Sequence, residues 1–234
     1  MTQDSERGSN RGLLIALIGA ESTGKSQLAH SLSEALAQAT GLRSTVVPET
    51  LRDWCQAQGR TPRPEEQGAI AEAQAQKIDT AALAHDLVIC DTTPLMTATY
   101  SQILFQDNSL WPMALAFQRR CALTLLTALD LPWVADGIQR DGPQVQAPVD
   151  NAIRQALIKS GLGWSVVSGS GAARLDSALN AVTPVLTKQR RQPPGHGLFT
   201  RLNERQTQLP NWTWACEKCD DPECEHRSLQ ARRP

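Results

Sequence analysis

The sequence predicts an α/β protein in which helices cover both faces of a doubly wound parallel sheet of about five strands. Short apolar runs alternate with longer segments that carry apolar residues at helical spacing, from residue 13 to residue 187. The first run, 13–18, shows no polar alternation, as expected of a strand buried on both faces. A glycine-rich loop then leads directly into a helical pattern.

The remaining elements repeat this alternation. The first helix, at 25–40, has apolar residues three and four positions apart and is ended by Gly41. Further strands are expected at 44–47, 87–90, 123–129 and 164–167. Helices are expected at 51–58, at 64–83, across 94–120, up to residue 160 after a loop at 132–148, and at 172–187.

Length and charge restrict the possible functions. The chain has 234 residues, with 23 Lys and Arg against 24 Asp and Glu, so it lacks the basic field of unspecific nucleic-acid binders. No apolar run approaches the ~20 residues of a membrane-spanning helix, and the first residues show no signal-peptide core. We expect a cytoplasmic protein with a disordered arm at 1–11, a main domain at 12–190, a linker at 191–210 and a Cys-rich tail at 211–234.

Residues 19–26 match the phosphate-binding pattern G-x-x-x-x-G-K-[ST] between a predicted strand and a predicted helix. The glycines let the backbone direct its N–H groups toward a phosphate, and the helix N-terminus adds partial positive charge. In such loops the lysine holds the β and γ phosphates and the serine binds Mg²⁺. The pattern predicts an ATP and magnesium site formed by Gly19, Ala20, Glu21, Ser22, Thr23, Gly24, Lys25 and Ser26, with Lys25 catalytic and Ser26 a magnesium ligand.

An aspartate stands at the end of the third apolar run. Ligands of open α/β sheets bind at the carboxyl ends of the strands, so Asp91 is a candidate magnesium ligand. Alternatively, it caps the helix that starts near Thr93. The next residue is Thr92, whereas motor-type and AAA-type ATPases usually have a water-orienting Glu there. This difference favours phosphoryl transfer to an organic acceptor.

Glu49 and Arg52 follow the second predicted strand, at the same edge of the sheet as the phosphate loop. A carboxylate there can accept the proton of an acceptor hydroxyl or bind a ribose diol, and an arginine can neutralise charge on the transferred phosphoryl group. The alternative is that Glu49 occupies the first turn of a helix, where the helix dipole alone favours an acidic residue.

The predicted loop between strands four and five contains Trp133 and Arg140. In small kinases a loop in this place is a lid that closes over the phosphates and brings an arginine to them. Alternatively, Trp133 packs in the core and Arg140 is a surface charge.

Four candidate metal ligands lie close together in the tail: Cys216, Cys219, Cys224 and His226. Three cysteines and a histidine fit a closed Cys₃His site for structural Zn²⁺, and metal binding would supply the folding energy of a segment without an apolar core. The alternatives are a Cys216–Cys219 disulfide, which a reducing compartment disfavours, and a redox pair, which lacks a thioredoxin-like context.

Five segments together resemble the nicotinamide riboside kinase domain of NadR-type proteins. They are the phosphate loop and, in the family's order, Val-Pro-Glu-Thr-Leu-Arg-Asp-Trp at 47–54, Asp-Thr-Thr-Pro-Leu-Met-Thr at 91–97, Asp-Leu-Pro-Trp-Val-Ala-Asp-Gly at 130–137 and Val-Val-Ser-Gly-Ser-Gly-Ala-Ala-Arg-Leu at 166–175. The resemblance covers residues 13 to about 185.

The resemblance implies a P-loop kinase fold and phosphorylation of the ribose 5′-hydroxyl of nicotinamide riboside or a related riboside, a step of NAD salvage. It places Glu49, Arg52 and Asp91 near the acceptor, Thr92 and Trp133 as further substrate contacts, Arg140 on the lid and Arg174 at the nucleotide. The alternative from another class is an ATP-switched protein that acts on a partner through its Cys-rich tail.

Overall fold

The computed structural model describes residues 11–134 and 142–189. Its five parallel strands lie in the order β2-β3-β1-β4-β5, which confirms the predicted fold class. The strands are β1 (Leu13–Ile18), β2 (Ser44–Val47), β3 (Leu87–Asp91), β4 (Leu123–Thr127) and β5 (Ser165–Val167). The helices are α1 (Lys25–Thr40), α2 (Thr50–Gln58), α3 (Pro64–Ala84), α4 (Pro94–Phe105), α5 (Trp111–Gln118), α6 (Gln146–Lys159) and α7 (Gly171–Gln189), with a 3₁₀ turn at Pro143–Val145. Within these ranges no helix has the length and apolarity needed to cross a membrane.

The first strand is the centre of the sheet. In β1, Leu17 pairs with Asp91 of β3 on one side and with Leu125 of β4 on the other. The carboxyl ends of these three strands therefore meet at one edge of the sheet. The phosphate loop leaves the sheet from this edge, so strand register alone places Asp91 and the end of β4 beside the start of the loop.

Apolar side chains fix the helices on both faces of the sheet. On one face, Ile15 and Ile89 pack with Leu28 and Leu32 of α1 and with Val182 of α7. On the other face, alternate strand residues pack against α3, α4 and α6. The central strands are buried on both sides, which explains why their sequences are continuously apolar.

Several boundaries differ from the predicted ones by one or two residues, and two of them lie beside the phosphate loop and the predicted lid. The loop predicted at 132–148 ends early, because α6 begins at Gln146 and includes Pro148 in its first turn, where a missing backbone N–H costs no hydrogen bond. Strand β4 ends at Thr127 instead of residue 129, and the carbonyl of the next residue, Ala128, accepts a hydrogen bond from Arg174.

Candidate active site

The phosphate loop is tightly curled between β1 and α1. Gly19, Ser22 and Gly24 have positive φ angles of 148°, 56° and 73°. A side chain on Gly19 would collide with the Thr127 hydroxyl, so the close approach of β4 requires glycine here. Gly24 is the left-handed N-cap of α1 and directs the chain into the helix.

The Lys25 ammonium is folded back onto this loop. It donates hydrogen bonds to the carbonyl oxygens of Gly19, at 2.9 Å, and Ala20, at 2.7 Å. The side chain is buried, and it lies at the N-terminus of α1. The cation and the helix terminus therefore concentrate positive charge where an anionic phosphate can bind.

Buried hydroxyl groups fasten the loop to the sheet. The Thr23 hydroxyl donates to the Ala20 carbonyl at 2.7 Å and lies 2.7 Å from the Thr127 hydroxyl of β4. The Thr127 hydroxyl is also within 3.3 Å of the Ile18 carbonyl. These contacts hold the middle of the loop against the ends of β1 and β4.

Arg174 supports the same loop from behind. One guanidinium nitrogen, Nη1, donates to Asp130 Oδ1 at 2.7 Å and to the Gly169 carbonyl at 2.8 Å. The other, Nη2, donates to the carbonyls of Thr23, at 2.8 Å, and Ala128, at 3.3 Å. Burial alone would raise the pKa of Asp130, but the bonds from Arg174 and from the Gly169 N–H lower it overall. Because both terminal nitrogens bind protein acceptors, this geometry fits support of the loop; the nucleotide contact stays a prediction.

Asp91 ends β3, and one of its carboxylate oxygens has no hydrogen-bond partner in the part of the chain that the structure describes. The residue is 3% exposed, and its Oδ1 forms no hydrogen bond with the described part of the chain. The N-cap of α4 is Thr93, and no side-chain hydrogen bond caps that helix, so the capping alternative lacks its contact. A buried, unpartnered carboxylate oxygen at this edge fits a hard cation such as Mg²⁺.

The next residue, Thr92, has a left-handed backbone with a φ of 73°, which is unusual for a β-branched side chain. Its N–H donates to the Leu17 carbonyl at 3.0 Å, and its carbonyl lies 3.5 Å from Gln74 Nε2. Gln74 Oε1 accepts the Thr50 N–H at 2.7 Å. The buried Gln74 side chain thus connects the start of α2 with the end of β3, a role that the sequence did not indicate.

Glu49, Arg52 and Ser26 are brought together, as predicted for an acceptor site beside the phosphate loop. Arg52 Nη1 donates to Ser26 Oγ at 3.1 Å, and Arg52 Nη2 lies 3.3 Å from Glu49 Oε2. Glu49 is the N-cap of α2, but its side chain forms no capping hydrogen bond. The carboxylate is turned toward Arg52 instead, so the guanidinium links it to the predicted magnesium ligand.

One cavity of about 650 Å³ joins these groups. Residues 21–27, from the phosphate loop and the start of α1, line it together with Glu49 and Arg52. Its other lining residues are Leu51, Cys55, Thr61, Pro62, Arg63, Pro64, Gln67, Tyr100, Ile103, Leu104, Phe105, Val145 and Val149. Of the further predicted substrate residues, Thr92 and Trp133 do not belong to this lining.

A charged cluster fixes the rim of the cavity. The Arg60 guanidinium donates to both Glu66 oxygens, at 2.7 and 2.8 Å, and the Arg63 N–H donates to Glu66 at 2.7 Å. The hydrogen bonds from Arg60 and then from the Arg63 N–H lower the pKa of Glu66 to about 2. Arg60 also stacks on Trp54, 4.9 Å from the ring centroid. The rim at residues 61–64 is thereby attached to both α2 and α3.

The flanks of the predicted lid contact the tip of the phosphate loop. The Val134 N–H donates to Ser22 Oγ at 2.7 Å, and Gln146 Nε2 donates to the Glu21 carbonyl at 2.9 Å. Trp133 is half-buried, and its Nε1 has no partner within the described ranges. The lid arginine Arg140 and the four predicted zinc ligands, Cys216, Cys219, Cys224 and His226, lie outside the described residues.

Residues 14–174 match a family model described as AAA domain. A structure of NadR protein in complex with NR is 16% identical, with a TM-score of 0.60, over 74% of this chain and 50% of that chain. NadR protein in complex with NAD and AMP-PNP is 15% identical, with a TM-score of 0.58, over 74% and 49%. Thymidylate kinase from Ehrlichia chaffeensis is 16% identical, with a TM-score of 0.51, over 75% and 99%.

At these identities the likeness concerns the fold, and it confirms the P-loop kinase fold predicted from the motifs. This chain spans about half the length of the NadR chains. No curated protein matches the sequence significantly.

Proposed function

This chain belongs to the AAA domain family, and from that premise we propose that it is a P-loop kinase that phosphorylates a small molecule with ATP. One observation carries the proposal: the phosphate loop, Glu49 and Arg52 line a single cavity. A donor phosphate and an acceptor hydroxyl can therefore be enclosed together, with a carboxylate and a guanidinium beside them. Holding reactants in this way is the main contribution of a protein to phosphoryl transfer.

The acceptor that we propose is nicotinamide riboside or a related riboside. The motifs at 47–54, 91–97 and 130–137 support it, as do the ligands NR, NAD and AMP-PNP in the similar NadR structures. The volume of about 650 Å³ suits a small molecule, and the apolar walls suit a planar ring.

In the proposed reaction, the riboside hydroxyl oxygen forms a bond to the γ-phosphorus of ATP as the bond to the β–γ bridging oxygen breaks. Glu49 accepts the hydroxyl proton, and ADP leaves with the bridging oxygen. Lys25 and Arg52 stabilise negative charge on the transferred group. Ser26 and Asp91 would hold the magnesium ion, which neutralises charge on the phosphates when bound.

The test is ADP production from ATP and Mg²⁺ with a panel of ribosides and nucleosides. We expect one ADP per phosphorylated acceptor, with nicotinamide riboside or a close relative as the best substrate and no reaction for Lys25→Ala. Slow ATP turnover that no acceptor changes would contradict the kinase proposal. That result would favour an ATP-switched protein.

A further inference from the structure

A glutamine in the wall of the cavity has a buried carboxamide oxygen that accepts no hydrogen bond from the described residues. Gln67, on α3, is 2% exposed and lines the cavity beside Arg63 and Pro64 of the rim. Its Oε1 is buried and forms no hydrogen bond with any described residue. Burying an amide in this way costs free energy, so an unpartnered carboxamide in a cavity wall indicates a group that binds there.

The two other buried glutamines of the described chain show the usual arrangement. Gln74 accepts the Thr50 N–H and approaches the Thr92 carbonyl. Gln118 accepts from the Thr93 hydroxyl at 2.8 Å and donates to the Thr124 hydroxyl at 2.8 Å. In both, the donor and the acceptor of the amide are used within the protein, whereas the buried Gln67 Oε1 accepts no hydrogen bond from any residue that the structure describes.

We propose that Gln67 selects the acceptor by pairing with a carboxamide-type edge, that is, a donor and an acceptor side by side; this rests on the proposed kinase function. A carboxamide presents C=O and NH₂ together, so its best partner presents N–H and C=O in the same plane. A primary carboxamide on the ring of the acceptor has this edge, and so has the amide edge of a nucleobase.

The rest of the wall fits the same ligand. Leu51, Ile103, Leu104 and Phe105 supply apolar surface to the cavity, which suits a flat ring. Glu49 and Arg52 line the same cavity together with the phosphate loop. Gln67 would then form hydrogen bonds with the ring edge while the ribose hydroxyl is directed to Glu49. Recognition of the ring and phosphoryl transfer would therefore depend on different residues of the cavity.

The experiment replaces the amide by an apolar chain of similar length. In Gln67→Met, kcat/KM for nicotinamide riboside should fall about 10- to 100-fold, because the amide edge of the acceptor loses its partner. The ratio of kcat/KM between nicotinamide riboside and the matching riboside with a carboxylate in place of the carboxamide should fall by at least about tenfold. The acceptor alone, without ATP, should raise the thermal midpoint of the parental protein more than that of Gln67→Met.

The stability of the protein without ligand shows whether Gln67 serves to bind the acceptor or to support the fold. Gln67→Met removes an unsatisfied buried amide, so its thermal midpoint should equal or exceed that of the parental protein. The matched control is Gln74→Met, with the same substitution on the same helix at the same 2% exposure. That variant should be less stable, since it leaves the Thr50 N–H without its acceptor.

The outcomes distinguish the role of Gln67 from the kinase function on which it rests. A parental enzyme that phosphorylates ribosides, with an unchanged substrate ratio in Gln67→Met, would overturn the role of Gln67 alone; an ordered water would then satisfy the amide. A drop in stability as large as that of Gln74→Met would likewise overturn it. A parental protein that uses no riboside or nucleoside would overturn the kinase function, and the role of Gln67 with it.

Discussion

Replacement of Arg174 by methionine tests whether this residue supports the phosphate loop or contacts the nucleotide. The substitution keeps the apolar stem and removes four hydrogen bonds, including those to the Thr23 and Gly169 carbonyls. Breaking a buried ion pair costs about 3–5 kcal/mol, but the Asp130 side chain is 34% exposed and water can solvate it. We therefore expect a loss of about 3 kcal/mol in the free energy of unfolding, or roughly 6–12 °C in the thermal midpoint of a domain of this size.

The measurement is thermal unfolding followed by circular dichroism, with ATP affinity determined on the same protein. Lys77→Met is the control, because Lys77 also binds an aspartate, Asp53, at 3.1 Å, but both side chains are largely exposed, at 44% and 54%. Such an exposed pair contributes about 0.2–1 kcal/mol, so the control should lose under about 4 °C.

The pH dependence of stability gives a second readout. The pKa of Asp130 is lowered in the folded protein, so its pairing stabilises the fold above the ordinary carboxyl pKa of about 4. This stabilisation is lost as the pH falls through the folded-state pKa. The deficit of Arg174→Met relative to the parental protein should therefore shrink toward pH 3.

The result that would refute this reasoning is a variant as stable as the Lys77→Met control with a large loss of ATP affinity. Arg174 would then contact the nucleotide directly, as the family resemblance implies.

Four further substitutions test the remaining assignments. Lys25→Ala should abolish phosphoryl transfer while the thermal transition remains, because its charge serves the phosphates; near-normal turnover would contradict the site. Glu49→Gln should lower kcat by about 10²- to 10⁴-fold with little change in ATP affinity, and a parental rate would reduce Glu49 to a helix-end residue. Asp91→Asn should shift the magnesium titration to higher concentrations, whereas an unchanged titration would remove it from the metal site. For the proposed Cys₃His site, elemental analysis should find about one zinc per chain, lost in Cys219→Ser with kinase activity retained; untagged, reduced protein without zinc would disprove the site.

The sheet could be predicted because its signals are local. A strand buried on both faces is continuously apolar, and a glycine loop that turns it into a helix has a defined spacing, so β1, the phosphate loop and α1 follow from one stretch of sequence. Pro148 was misleading because proline usually indicates a loop, whereas the first turn of α6 tolerates it.

The supports of the site could not be predicted, since they join distant parts of the chain. Arg174 and Thr23 are 151 positions apart, and Thr23 and Thr127 are 104 positions apart. No periodicity links such pairs. Glu49 and Asp91 could be selected because each directly follows a strand, at the edge where parallel sheets bind ligands.

Helix α3 shows most clearly why the residues around the proposed acceptor could not be predicted from the sequence. Gln67 and Gln74 are one heptad apart, so they lie on the same face of the helix and have the same sequence signal. Gln74 contacts Thr50, which follows Glu49, and Thr92, which follows Asp91. One amide thus fixes the spacing between the proposed proton acceptor and the proposed magnesium ligand. Gln67 lies on the same helix. An acceptor edge bound to Gln67 would therefore be held in a fixed position relative to Glu49 and Asp91.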